Sequence, residues 1–422
     1  MRTVAKHLTA ASRTAPADPV PPLVRWAFYL FMFSLPFEYP DRTIPVETTT
    51  LTAALLIATA LLWPSRCLRS PPRAVWLFVV YGYVFWAAVA LGGGFYAQDA
   101  IKSTITLIQM ILVITIGANL FQEQDVKDHA LLAFATACVI LGLMTVLHIG
   151  TKAGVDDIDT VRMTALGQNP NRAARILGGG ILVLIGMAYG QARARIRPRW
   201  LVWPFVGVIA LAAIQGGSRG GLLALTIGLL TFAAGAGTLK SKLRNGAVAV
   251  LAVGLVATFA ARSPLIQERV VQASEGNFAQ REQIFPSAAA MFLDRPLLGW
   301  GAENDYELAK RMPYHYRTSR DAHNLVLHIL TTAGLLGALP FFGALFFAVL
   351  AAWRGRHGPL GALPLALLIA LLAGNISGNY IALKLQWVAV ALAFACGAPG
   401  AVRAPVRSPG PKELAAPLTR PI

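Results

Sequence analysis

Twelve apolar stretches, each near the length of a membrane-crossing helix, constrain this chain more than any other feature. A spanning helix needs about 20 mainly apolar residues. The stretches run over 23–38, 47–64, 74–92, 101–121, 129–149, 172–190, 200–215, 217–236, 246–261, 323–352, 359–376 and 379–397. In hydrocarbon every backbone polar group must be satisfied within the protein, so such stretches fold as helices. Only 14% of the 422 residues are charged, against about 25% in soluble domains. The expected fold class is therefore an all-α polytopic membrane protein. The seventh and eighth stretches are divided only by QGGSR, the eleventh and twelfth only by NISGN. The stretch 323–352 is long and contains Pro340, which predicts a tilt or a kink.

The net charge of +17 would point to nucleic acid in a soluble protein. Here its distribution argues otherwise. Twelve spans put both termini on one side. That side, with RCLRSPPR, GQARARIRPR, GTLKSKLR, RGRHG and both tails, holds 21 basic and 5 acidic residues. The other holds 16 basic and 15 acidic, including Lys384 within an apolar stretch. The positive-inside rule makes the basic side cytoplasmic, and its expected partner is anionic membrane lipid, not nucleic acid. The organisation that follows is a cytoplasmic tail at 1–22, nine helices over 23–261, an outer loop at 262–322, three helices over 323–397 and a second cytoplasmic tail at 398–422. The first apolar run lacks a small-residue cleavage site, so the basic, Pro-rich start reads as a tail and not as a cleaved signal. Cys67, Cys138 and Cys396 form no metal or disulfide framework.

The outer loop 262–322 carries eight basic and eight acidic residues. Within it, REQIFPSAAAMFLDRP spaces Ile284, Phe285, Ala288, Ala289 and Phe292 at helical intervals, which suits an amphipathic helix lying on the membrane. A second outer loop, about 150–171, runs from acidic GVDDIDT into GQNPNRAAR.

Four polar groups fall on this outer side. In GQNPNRAAR, Asn171 is a candidate helix N-cap. Arg172 and Arg175 then sit in the first turns, where cations oppose the helix dipole and a nearby anion would relieve them; snorkelling to lipid headgroups is the plainer alternative. In QGGSRGG, Arg219 begins an apolar helix after two glycines, an arrangement suited to phosphate and also to snorkelling. Arg281, in NFAQREQIF, can pair with Glu282 or Glu275 or face water. In DAHNLVLHIL, Asp321 is a candidate cap, which puts His323 at the second helical position and Asn324 at the third. The positive helix end then favours a neutral imidazole, able to accept a hydroxyl proton; completing the cap is the alternative role. His328, five residues on, reads as a residue that satisfies a neighbour. No Asp-x-Asp, GxSxG, HExxH or Walker loop is present, so arginines are expected to meet any developing negative charge, with no metal and no cofactor.

These pieces resemble the O-antigen ligase and polymerase superfamily of bacterial surface-polysaccharide assembly. The resemblance rests on the Asn-Pro-Asn turn at 169–171, Gly-Ser-Arg at 217–219, Arg281, AAAMFLDRPLLGWGAENDY at 288–306 and DAHNLVLHILTTAGLLGAL at 321–339. It covers most of the second half; the first half matches only in hydropathy. Within the group the chain looks most like the ligase, with twelve helices and a large periplasmic loop between helices nine and ten. The resemblance implies a GT-C-like, lipid-linked-donor glycosyltransferase in the bacterial inner membrane, with its active site facing the periplasm. It implies metal-independent, inverting transfer of O-antigen from undecaprenyl diphosphate to lipid A–core oligosaccharide. Arg219 and Arg281 would bind diphosphate, and His323 would activate the acceptor hydroxyl. Arg172, Arg175, Asn171 and Asn324 would contribute to substrate binding, with Asp321 in support. A polymerase of O-antigen or exopolysaccharide is the neighbouring alternative. A secondary transporter is the remote one; no repeated halves support it, and Lys384 is the single polar group placed where such a protein would bind a substrate or coupling ion.

Overall fold

The computed structural model describes residues 19–38, 47–69, 71–92, 96–155, 161–190, 196–276, 278, 280–312 and 319–398. The tails at 1–18 and 399–422, most of GVDDIDT, QARAR and the PYHYRT following Met312 lie outside the described residues.

Every one of the twelve apolar stretches contains an apolar helix. In chain order the helices are α1 Pro22–Ser34, α2 Thr48–Leu61, the short α3 Pro64–Cys67, α4 Val75–Leu91, α5 Ala97–Leu120 and α6 Gln124–Val146. They continue as α7 Pro170–Tyr189, α8 Val202–Gln215, α9 Arg219–Ala234, α10 Leu239–Ala261, α14 Leu325–Gly355, α15 Leu363–Gly374 and α16 Lys384–Gly397. Between α10 and α14, the outer loop folds as α11 Pro264–Ser274, α12 Arg281–Asp294 and α13 Asn304–Arg311. Five helices (α5, α6, α7, α10 and α14) are long and apolar enough to cross a membrane. The other seven apolar helices are shorter.

Among the described residues the protein departs from an all-α chain at one place. Antiparallel strands β1 Thr151–Val155 and β2 Val161–Ala165 pair with Lys152 opposite Thr164 and Gly154 opposite Arg162. This hairpin leads straight into the Asn-Pro-Asn turn.

Two helices are buried on all sides, as expected of apolar helices at the centre of a bundle. Along α16, Leu385 to Ala393 are all buried; the helix packs on α5, α14 and α15. Along α7, Ala173 to Ala188 are buried against α6, α8, α9 and α15. Both helices begin at the same end of the bundle, where Arg175 of α7 meets the turn before α16.

Helix α14 breaks at Gly334 (φ 59°), not at Pro340, which lies inside the continuing helix. The cause is the outer loop. Pro296 O accepts from Leu335 N at 2.8 Å, and Leu297 O accepts from Leu336 N at 3.1 Å. Trp300 N in turn donates to Thr331 O at 2.8 Å. Loop backbone thus takes over hydrogen bonds that helix backbone gives up. A Cβ on Gly334 would collide with the Leu297 backbone, and positive φ is open to glycine at little cost.

The sequence pattern located helix α12 but not its packed face. Ile284, Ala288 and Met291 are buried with Leu308, Met312 and Ala322 in a small core of the outer loop, while Ala289 is exposed. The stripe at i, i+4, i+7 packs on protein, so α12 is fastened to α13 as well as to α14.

Candidate active site

A cavity of about 170 Å³ opens at the end where α7, α14 and α16 begin. It is lined by Asn169, Asn171, Arg172, Asp321, His323, Ser377, Asn379 and Tyr380. Three separate loops therefore meet there.

The first wall is the Asn-Pro-Asn turn. Asn169, not Asn171, caps α7: its Oδ1 accepts from Asn171 N at 3.0 Å and Arg172 N at 3.3 Å. Pro170 occupies the first helical position, where no N–H is needed. Asn171 is freed from capping, and its Oδ1 accepts from Arg162 Nη2 at 3.1 Å. Arg162, buried in β2, also donates through Nε to Gly216 O at 2.9 Å, just before Arg219. One arginine of the hairpin thus ties two of the sequence motifs together.

The second wall is the turn Asn375–Tyr380. Asn375 Oδ1 accepts from Tyr380 N at 3.1 Å, while its amide donates to Gln386 Oε1. Ser377 is the meeting point of two arginines. Arg175 Nη2 donates to Ser377 Oγ at 3.0 Å, and Arg281 Nη2 donates to Ser377 O at 3.0 Å. Arg175 is 4% exposed and stacks on the Tyr380 ring at 3.8 Å. Among the described residues no carboxylate pairs with Arg175. Arg281, expected to face water or pair with Glu282 or Glu275, reaches across 96 residues of sequence to Ser377, with Nη1 on Phe278 O at 3.1 Å.

The third wall is the loop before α14. Asp321 does not cap this helix. Asn324 does, its Oδ1 accepting from Leu327 N at 3.1 Å. His323 therefore precedes the cap, in a left-handed conformation (φ 49°). Asp321 Oδ1 accepts from His323 N at 3.1 Å, which holds that turn. An argument from the helix dipole at the second helical position does not apply; the carboxylate two residues upstream holds the His323 backbone. Asn324, expected near substrate, donates to Ile376 O at 3.0 Å and fastens this wall to the second.

Arg219 begins α9 as expected, with Ser218 as cap accepting from Gly221 N at 3.2 Å. Its guanidinium donates to Arg269 O on α11 and does not line the cavity. Its neighbour Gly220 lies directly against Ser377 and Arg175.

Lys384 and His328 are each placed by their neighbours. Lys384 is buried and pairs with Glu38 at 3.0 Å and with Glu47 at 3.5 Å. His328 lies 3.8 Å from Asp305 Oδ1 and 3.4 Å from the Asn304 amide, satisfying its neighbours on α13. Burial pushes the Asp305 carboxyl up, His328 pulls it down and Asp321 adds to the rise.

Ser377, Asn379, Tyr380, Asn169, Arg162 and Glu38 were not foreseen. The signal for two of them, Ser377 and Asn379, was present. NISGN is a polar break between two apolar stretches, on the same side as the Asn-Pro-Asn turn by the count of spans.

Residues 204–342 match the family model described as O-antigen ligase. The match contains Arg219, Arg281, Asp321 and His323; the two other walls, 169–172 and 375–380, lie outside it. No curated protein matches the chain.

Proposed function

Taking the O-antigen ligase segment as premise, we propose that the protein transfers O-antigen from undecaprenyl diphosphate to lipid A–core oligosaccharide. The twelve apolar helices all cross the inner membrane, with both termini in the cytoplasm and the cavity at the periplasmic face. The observation that most supports this reading is the cavity itself. His323, Asp321 and Arg172 line it together, and Arg175 and Arg281 meet at Ser377 in its wall.

The chemistry needs one bond made and one broken. The acceptor hydroxyl oxygen attacks the anomeric carbon from the face opposite the diphosphate. The carbon–phosphate-oxygen bond breaks, undecaprenyl diphosphate leaves, and the anomeric configuration inverts. His323 takes the hydroxyl proton while Asp321 holds its backbone. Guanidinium groups meet the charge that grows on the leaving diphosphate, and their planar forks suit phosphate oxygens. In this role Arg172 acts at the cavity, and Arg175 and Arg281 act through the wall at Ser377, to which both are bonded. Arg219 approaches the donor from the start of α9. The polyprenyl chain lies among the helices, and lipid of the outer leaflet surrounds it.

His323→Ala tests the proton-transfer role. General-base removal costs about 10²- to 10⁴-fold. The variant is expected to fold and to lose transfer on that scale. Near-wild-type transfer removes His323 from the mechanism.

A further inference from the structure

A cavity of about 420 Å³ lies away from the candidate active site, lined by Pro19, Arg66, Arg69, Asn119, Gln122 and Glu123. Helix α6 starts beside it at Gln124 and ends at Val146, next to the hairpin that leads to the Asn-Pro-Asn turn. The two cavities therefore occupy opposite ends of the bundle. The volume falls within the range of small-ligand sites, about 300–1,000 Å³. Three segments form its walls: the chain entering α1, helix α3 with the residues after it, and the turn from α5 to α6. Trp26 in α1 is 71% exposed and Trp63 beside α3 is 37% exposed. Tryptophan favours the membrane–water boundary, which puts the cavity at headgroup depth.

Glu123 organises these walls. Its Oε1 accepts from Val20 N at 2.8 Å and from Arg66 Nη2 at 2.5 Å, and its Oε2 from Arg25 Nη2 at 3.5 Å. One carboxylate thus faces two arginines, and Arg69 adds a third cation at the cavity, exposed and without an ion pair among the described residues. Arg25, Arg66 and Arg69 together exceed Glu123 by two charges. Helix α5 ends and α6 begins here, so their opposite dipole ends offset one another. Asn119 is buried, and its amide donates to Thr115 O at 2.9 Å, which leaves Oδ1 to accept from a ligand hydroxyl. Gln122 stands exposed at the rim. A zwitterionic headgroup would bring a cation among these arginines, while the oxygens of Glu123 are already engaged. From this geometry we infer that the cavity binds the headgroup of an acidic phospholipid of the phosphatidylglycerol class. Arg66 and Arg69 meet the phosphodiester, and Asn119 and Gln122 meet the glycerol hydroxyls. Bound there, the lipid joins the three segments at the end of the bundle remote from the candidate active site. The inference does not depend on the transfer reaction proposed above.

The test titrates short-chain phosphatidylglycerol into the full-length protein in a neutral maltoside detergent, with binding followed by calorimetry. Short-chain phosphatidylcholine is the zwitterionic comparison. The wild type is expected to bind phosphatidylglycerol at least tenfold more tightly. Arg69→Gln removes an excess charge and, since Arg69 makes no ion pair, leaves the contacts of Glu123 in place. It is expected to weaken phosphatidylglycerol binding by about tenfold, the scale of one charge-assisted hydrogen bond. Arg69→Glu is expected to weaken it further. Lys240→Gln is the control: it removes an exposed cation on α10 that does not line the cavity, and it is expected to bind like the wild type. Equal affinity for the two lipids overturns the inference. So does wild-type affinity in both Arg69 variants, or an equal loss in Lys240→Gln, which would mark a diffuse surface-charge effect. Inorganic phosphate and glycerol 3-phosphate distinguish the source of the anion. Little binding of either, with no displacement of the lipid, supports a membrane lipid; displacement of the lipid by an equal concentration of either would assign the cavity to a soluble phosphate and overturn it.

Discussion

Gly220→Ala adds one methyl group and removes no charge, yet it is expected to slow transfer by about tenfold to 100-fold. A Cβ at this position would lie far inside the van der Waals radius of Ser377 Oγ, 3.4 Å from Ser377 Cβ and 3.5 Å from Arg175 Nη2. The methyl leaves two ways to relieve the clash. Ser377 can rotate its hydroxyl away, which breaks the 3.0 Å bond from Arg175. A hydrogen bond to a charged group contributes about 1.5–3 kcal/mol, equivalent to roughly tenfold to 150-fold. Alternatively the turn shifts by about 1 Å, and a displacement of that size costs about 100-fold where reacting groups must be aligned. Both routes give a similar figure. Alanine is also the better helix former by about 1 kcal/mol, so the helix itself is not weakened. The assay is the initial rate of product formation at fixed donor and acceptor, per folded protein. Gly207→Ala and Gly246→Ala are the controls, since a Cβ at either meets nothing within 4 Å. Wild-type turnover by Gly220→Ala, or equal loss in the controls, refutes the placing of Arg175 and Ser377 in the site.

Two predictions concern the scaffold. Gly334→Ala must adopt φ 59° with a Cβ pressed on the Leu297 backbone; the cost is of order 1–3 kcal/mol for the backbone alone, seen as a lower Tm and faster proteolysis of the outer loop, and an unchanged Tm would contradict the described helix break. The raised carboxyl of Asp305 holds its proton more tightly in the folded protein than in the unfolded chain. Its contribution to stability is therefore full below the ordinary aspartate range near pH 4 and is lost as pH rises through the raised folded value. Asp305→Asn should flatten that part of the Tm–pH profile; an identical slope in the variant would assign it to another group.

Local sequence made the apolar helices and most helix starts legible, because apolar length and capping residues are local signals. It was less reliable where two capping residues compete. In DAHN both Asp321 and Asn324 are good caps; the chain uses Asp321 for a turn and Asn324 for the helix. The same holds for Asn169 and Asn171 around Pro170. What local sequence could not supply was partnership across the bundle. That Arg281 would meet Ser377, or Lys384 meet Glu38, depends on how distant helices pack. The break at Gly334 was misplaced to Pro340 for the same reason, since its cause is the backbone of a remote loop.

The most direct test is reconstitution. Purified protein in detergent is given undecaprenyl-diphosphate-linked O-antigen, lipid A–core and EDTA. The account predicts a ladder of glycan on lipid A–core that persists with the chelator present. A lengthened lipid-linked glycan from donor alone, with none on the core, would make the protein a polymerase and contradict the proposed acceptor.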